Sequence, residues 1–278
     1  MGLVREYPGN LLGSGRALID PANAWIWLGI AASTGLMIAV DDKLYEETVK
    51  LGDRLGIQQE GKSMVVGRFP LPGLDRDARI FAFPANTGAA LYFLGDGWLH
   101  IGVMGGFFGY GAIASDCRAL QTGWDLGEGM LVEGTISLAI KLSTGREGPC
   151  RRDTPTGKWR PFPNPAAYLK DTCNYDAMPS GHLATAMCTV TVIAENYPEK
   201  WWIRPLGYSL LVPLMFQMVN NGVHWWSDYP LGLFIGYTVG KTVTARHHKA
   251  VPAKSGWVPE VMPVVFADAQ GAALTWRF

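Results

Sequence analysis

The sequence predicts an all-α chain that ends in a short β-hairpin, and three observations carry that expectation. Apolar stretches of helical length recur between Ala22 and Arg246, several of them opened by a proline or a capping residue. Segments rich in glycine, proline and charge separate them, at Gln58 to Asp77 and Gly145 to Asp176. Strand-like patterning is confined to Met262 to Phe278, where Val264-Val265-Phe266 and Ala273 to Trp276 flank Gln270-Gly271.

In chain order, Asp20-Pro21 resembles a helix cap with a first-turn proline before Ala22 to Val40, a run without charge. It is just long enough to span a bilayer, and it equally fits a buried or interfacial helix. Asp41-Asp42 end it, and Lys43 to Leu55 reads as an amphipathic helix. Gln58 to Asp77 reads as a connector. Thr87 to Ala114 is an apolar helical stretch whose glycines, Gly105, Gly106 and Gly109 among them, predict close helix approach. Asp116 to Thr144 is the next helix, with Lys141 near its C-terminus, a favourable place for a cation. Gly145 to Asp176 is a long, proline-rich and basic loop, of a length that is usually functional. Further helices follow from Ser180 to about Asn196, on to about Asn221 around Pro213, and from Tyr229-Pro230 to about Arg246. The boundaries expected are 1–78 for an N-terminal helical, anchoring segment and connector, 79–250 for a helical core, and 251–278 for a tail.

Composition bounds the function. The 278 residues carry 24 basic and 24 acidic side chains, so no global field draws nucleic acid. Apolar residues are 48% of the chain with a mean hydropathy of +0.08, low for a protein of many spans, while 11 tryptophans suit a membrane interface or a packed core. Cys117, Cys150, Cys173 and Cys188 fit no zinc spacing. Cys150 and Cys173 bracket much of the long loop, where a disulfide would brace it in an oxidising compartment; four unrelated thiols fit as well. Residues 1–20 lack the pattern of a cleavable signal.

Two short stretches carry chemistry. In Pro179-Ser180-Gly181-His182, proline and serine suit a helix entry whose free amides attract an anion, with His182 beside it as proton donor. In Gly222 to Asp228, His224 and Asp228 stand at i and i+4. On a helix the carboxylate accepts a hydrogen bond from one ring nitrogen and leaves the other free as a nucleophile.

These stretches resemble the type 2 phosphatidic acid phosphatase superfamily, which also holds the vanadium haloperoxidases. Its motifs are K-x6-R-P, P-S-G-H and S-R-x5-H-x3-D. The second is complete. His224 and Asp228 match the third, but Gln217 and Met218 stand where Ser and Arg are expected, and Gly148 replaces the arginine after Lys141. The likeness covers roughly residues 85 to 245. It implies a helical bundle with a phosphate pocket: His224 as nucleophile forming a phosphohistidine, Asp228 orienting it, His182 as general acid, and Lys141, Ser180 and Gly181 as phosphate ligands. Arg146, two residues before Gly148, is the first candidate to replace a missing guanidinium, and Asn220 and Asn221 could add neutral donors.

The expected activity is metal-independent hydrolysis of a lipid-linked phosphate or diphosphate, without a cofactor, by a membrane-associated protein whose site faces the periplasm or exterior. The lost arginines motivate a second expectation, an impaired accessory subunit of a membrane complex. A vanadate-dependent haloperoxidase ranks third, because tight vanadate binding needs those arginines.

Overall fold

The computed structural model describes residues 3–70, 77–250, 260–266 and 269–275. Among them are ten α-helices and two antiparallel hairpins. Helix α1 (Leu3–Leu18) adds a helix to the N-terminal segment ahead of the run that begins at Ala22. A 3-10 turn at Pro21–Asn23, capped by the Asp20 carboxylate on Ala22 N at 2.9 Å, leads into α2 (Ala24–Ile38). Helix α3 (Asp41–Leu55) follows after a 72° bend, with Asp41 and Asp42 in its first turn, where acidic groups favour the helix dipole.

The expected connector is instead largely a hairpin. Strand β1 (Ser63–Pro70) pairs antiparallel with β2 (Asp77–Pro84), Val65 opposite Ala82. The strand signal in this segment was its two short apolar runs with β-branched and aromatic residues, Met64 to Val66 and Ile80 to Phe83. The stretch from Thr87 is two helices, α4 (Thr87–Phe93) and α5 (Gly97–Ala114), because the Asp96 carboxylate caps a new start at Trp98 N, 2.8 Å away. The glycine expectation needs correction as well. Positions 105, 106 and 109 face open space, whereas Gly111 is the close approach, since a Cβ there would stand 2.7 Å from Leu120.

Helix α6 (Cys117–Thr144) is the axis of the bundle and packs against α1, α5 and α8 (Gly181–Asn196). Ala184, Cys188 and Val192 recur every fourth residue on α8 and join Leu126 and Val132 of α6 in one core. The other side of α8, through Leu183 and Ala186, packs with Leu211, Leu214 and Met218 of α9 (Ile203–Asn220) in a second. Helix α10 (Tyr229–Ala250) crosses α8 closely, because Gly236 leaves room for the Ala184 carbonyl, which a Cβ would meet at 2.2 Å. Two cores sharing one helix hold the start of α8 rigidly, and that start carries His182.

The long loop holds a short helix α7 (Pro165–Lys170), and Cys150 and Cys173 form a disulfide across it. The chain divides into one unit up to Ala245 and a second from Arg246. In the second, β3 (Glu260–Phe266) pairs with β4 (Ala269–Thr275), so Gln270-Gly271 lies within a strand rather than at the turn. Among the described residues no single helix is long and apolar enough to cross a membrane, although the bent pair Pro21–Ile38 and Asp41–Leu55 passes together by length and composition.

Candidate active site

Two loops and two helix ends converge on the histidines. Ser180 caps α8, its hydroxyl accepting from Leu183 N at 3.4 Å, and its own N–H donates to the Asp228 carbonyl at 3.1 Å. That bond ties the two sequence stretches together. The segment carrying His224 is not helical: Trp225 is extended and Trp226–Asp228 is a 3-10 turn. The i, i+4 expectation therefore fails in its geometry. The His224 Nδ1–H donates to the Ala177 carbonyl at 2.7 Å, while Asp228 Oδ2 stands 3.7 Å away. Asp228 instead accepts from Trp225 N at 2.7 Å and thereby shapes the turn that aims the ring.

Opposite, His182 Nδ1 lies 3.4 Å from His224 Nε2, and its Nε2 lies 2.9 Å from the Tyr92 hydroxyl. Burial lowers the His182 pKa well below its ordinary value, helped by the nearby charges of His224 and Lys141. Lys141 reaches the start of α8 from below, where a Cβ on Gly181 would stand 3.6 Å from Nζ. It pairs with Asp176 at 2.9 Å and donates to that residue's carbonyl at 3.0 Å. The structure thus brings Lys141, Ser180, Gly181, His182 and His224 together.

Arg146 is a correction. It is wholly buried, and its guanidinium is already taken. Nη1 donates to Asp228 Oδ1 and to Ser227 Oγ, each at 2.6 Å, and Nη2 donates to Asp41 Oδ2 at 2.8 Å and to the Thr156 carbonyl at 3.0 Å. The Trp159 and Trp225 rings lie over it at 5.0 and 5.7 Å. A cation between two buried carboxylates has no net charge to offer a phosphate. It supports the loop that carries His224 instead. The other loop arginines are engaged too, Arg151 with Asp171, Arg152 with Asp42 and Glu46, and Arg160 with Glu147.

The positions of the missing family arginines are filled structurally. Met218 is core, and its carbonyl accepts from His224 N at 3.1 Å. A side chain at Gly148 would begin 3.1 Å from the Val223 carbonyl and 3.4 Å from the Cys150 sulfur, so the braced loop has closed over that place. Asn220 turns from the site, donating to the Ile57 carbonyl at 3.4 Å and to Gln217 Oε1 at 3.2 Å. The Asn221 amide, oriented to donate, reaches the Gln217 and Met218 carbonyls at 2.9 and 2.8 Å.

Sequence reasoning missed two site residues. Asp41 is buried beneath the site. It accepts from Ser227 N at 3.2 Å and hydrogen-bonds the Ser227 hydroxyl as well as Arg146. Burial raises its pKa against those stabilising bonds. Its signal was a carboxylate beside an apolar run, which had been read only as a helix stop. Tyr92 gave no signal beyond being an aromatic in an apolar stretch.

A helical bundle that sets a buried and a half-buried histidine nitrogen to nitrogen, beside a lysine and a capped helix start, has groups suited to cleaving a phosphoester. Residues 122–252 match the PAP2 superfamily, and that match supports membership of the superfamily. No curated protein and no solved structure matches the chain.

Proposed function

We propose that the protein hydrolyses a phosphate ester of an apolar alcohol through a phosphohistidine on His224. The supporting observation is the 3.4 Å approach of His182 Nδ1 to His224 Nε2, the nitrogen left free by the bond to Ala177. Attack by Nε2 forms the N–P bond as the P–O bond breaks, and His182 protonates the departing oxygen. Water then attacks the phosphohistidine with His182 as base. Lys141 and the amides at Ser180 and Gly181 hold the equatorial oxygens. A phosphoryl group needs the two nitrogens roughly 5 to 6 Å apart, about 3 Å on either side, so substrate entry parts the rings.

The apolar alcohol is supported by a cavity of about 550 Å³ between α5, α8 and α9, lined by Leu94, Val103, Ala186, Ile193, Leu210 and Leu214. Ala186 is one turn beyond His182. Exposed apolar side chains such as Trp25 (81%), Leu36 and Ile113 (89%) suit contact with a lipid surface. The test is phosphate release from dodecyl phosphate by the wild type and its loss in His224→Ala. A second reading, a non-catalytic subunit, is favoured by the pairing of Arg146 with Asp41 and Asp228. No turnover and no binding of phosphate or vanadate, together with co-purification in a larger complex, decides for it.

A further inference from the structure

Hydrogen-bond polarity along the histidine pair is set from one end. The Ala177 carbonyl only accepts, so a neutral His224 carries its proton on Nδ1 and presents a lone pair at Nε2. The facing Nδ1 of His182 must therefore be the one that carries hydrogen. A neutral His182 then has its lone pair at Nε2, and the Tyr92 hydroxyl, 2.9 Å away, donates to it. The Tyr92 ring stands edge-on to the imidazole at a centroid distance of 5.0 Å, which fixes the approach. Burial, with Asp96 and Asp176 nearby, pushes the Tyr92 pKa up to about 12, so the hydroxyl keeps its proton.

This polarity has a chemical consequence. A neutral imidazole is no acid for an alkoxide, so His182 must gain a second proton before it can protonate a leaving group. Nδ1 is already occupied, and the new proton has to land on Nε2. In the resting site that nitrogen faces Tyr92. The titratable groups that bear on the imidazole are His224, Lys141 and His100; burial and the Lys141 charge oppose protonation until a phosphate anion arrives to offset them, while His100, its own pKa lowered to about 4, brings no charge near neutral pH.

We propose, resting on the hydrolase reading above, that Tyr92 is the proton port of His182: its hydroxyl gives Nε2 a proton and takes another from solvent, and it then accepts a hydrogen bond from the new N–H. The proton count balances over the cycle: one proton enters at Nε2 through Tyr92, Nδ1–H goes to the leaving oxygen, Nδ1 recovers a proton from the water that cleaves the phosphohistidine, and Nε2–H returns its proton to solvent through Tyr92, which restores the neutral ring. A hydroxyl suits the position because it donates to the neutral ring and accepts from the charged one. Tyr92 acts through His182 and is a positioning residue.

The experiment is Tyr92→Phe in the full chain, assayed on two esters that differ in their need for a proton. Dodecyl phosphate leaves as an alkoxide, and p-nitrophenyl phosphate leaves as a stable phenolate. General acid–base catalysis is worth about 10² to 10⁴ in rate, so loss of the port should cut kcat on the alkyl ester at least about tenfold. On the aryl ester the cut should stay under about threefold, with KM for both unchanged within about twofold. Equal losses on both esters, or no loss, overturn the proposal, because a packing defect does not sense the leaving group. Histidine 15N NMR supplies a readout independent of turnover. In Tyr92→Phe the His182 Nε2 resonance should move downfield by several ppm, toward a free lone pair, while Nδ1–H persists. An unmoved Nε2 signal overturns the proposal. If the wild type cleaves neither ester, the hydrolase reading falls, and the NMR arm alone still decides whether Tyr92 holds Nε2.

Discussion

At Arg146 four hydrogen bonds and two aromatic faces surround one guanidinium, and two of its acceptors are the buried carboxylates Asp41 and Asp228. Removing one partner of such a buried pair leaves an uncompensated charge, at a cost of about 3 to 5 kcal/mol. Arg146→Met should therefore lower the unfolding free energy by about that amount in a urea titration. Arg146→Lys keeps the charge but cannot fork between the two acids, so its cost should be smaller. Vanadate affinity should change far less in either variant than in Lys141→Met. A larger affinity loss in Arg146→Lys than in Lys141→Met contradicts the assignment of Arg146 as support. Glu133 offers a pH test. It is buried in the α6–α8 interface and accepts from Thr185 Oγ1 at 2.5 Å, and burial raises its pKa from 4.5 to about 7. Between those values the folded protein holds a proton that the unfolded chain releases, so this contribution to stability falls as pH rises from about 4.5 to 7. Glu133→Gln removes that titration and should gain on the order of 3 kcal/mol on the wild type as pH rises from about 4.5 to 8. His100 works the other way. Its pKa is lowered to about 4 by burial, so the folded state should lose stability as pH falls from about 6.5 toward 4. His100→Gln should flatten that acid limb of a thermal melt series.

Among the elements, the break between α2 and α3 matters most, because it delivers Asp41 under the loop that holds His224. The ends of that contact are 105 residues apart along the chain, Asp41 to Arg146. A single sequence shows such a pairing only as two charges, each with a local explanation of its own. That is why the P-S-G-H and H-x3-D stretches were legible, with their order and spacing, while their support was not. Helix existence was legible from apolar length and from caps such as Asp20 and Ser180, whose side chains do cap the turn at Pro21–Asn23 and α8, whereas the Asp96 cap that divides α4 from α5 was not. The β1–β2 hairpin was hidden by the glycine, proline and charge of the segment Gln58 to Asp77, which read as a connector. Gly148 illustrates the limit from the other side. The lost arginine was visible, but the disulfide and the Val223 carbonyl that close over its place were not. Cross-linking a loop of this length stabilises by about 3 kcal/mol, so Cys150→Ser with Cys173→Ser should lower urea stability by about that much. It should also loosen the segment that carries His224, because Cys150 N donates to the Gly222 carbonyl at 2.8 Å and Gly148 N to the Cys173 carbonyl at 2.8 Å. A double variant with unchanged stability sinks the brace.

Over the whole molecule, two cores share α8, the histidines meet at its start, and an apolar cavity begins one turn beyond. Under the proposed function, a reacting phosphate would lie between polar groups and its alcohol against apolar walls. Lys141 is the cation it brings nearest to the start of α8, and Asp176 shares its charge. On the proposed mechanism, transition-state charge would be balanced largely by backbone amides and a single lysine, and each charge-assisted bond forgone costs about 1.5 to 3 kcal/mol. A slow enzyme with a detectable covalent intermediate is the expected outcome. The most direct measurement is a rapid acid-free quench of the wild type and His224→Ala with a 32P-labelled alkyl phosphate, followed by mapping of the bound label. The account predicts base-stable, acid-labile phosphate on His224 in the wild type and none in the variant. Label on another residue, or substrate turned over with equal speed by His224→Ala, contradicts it.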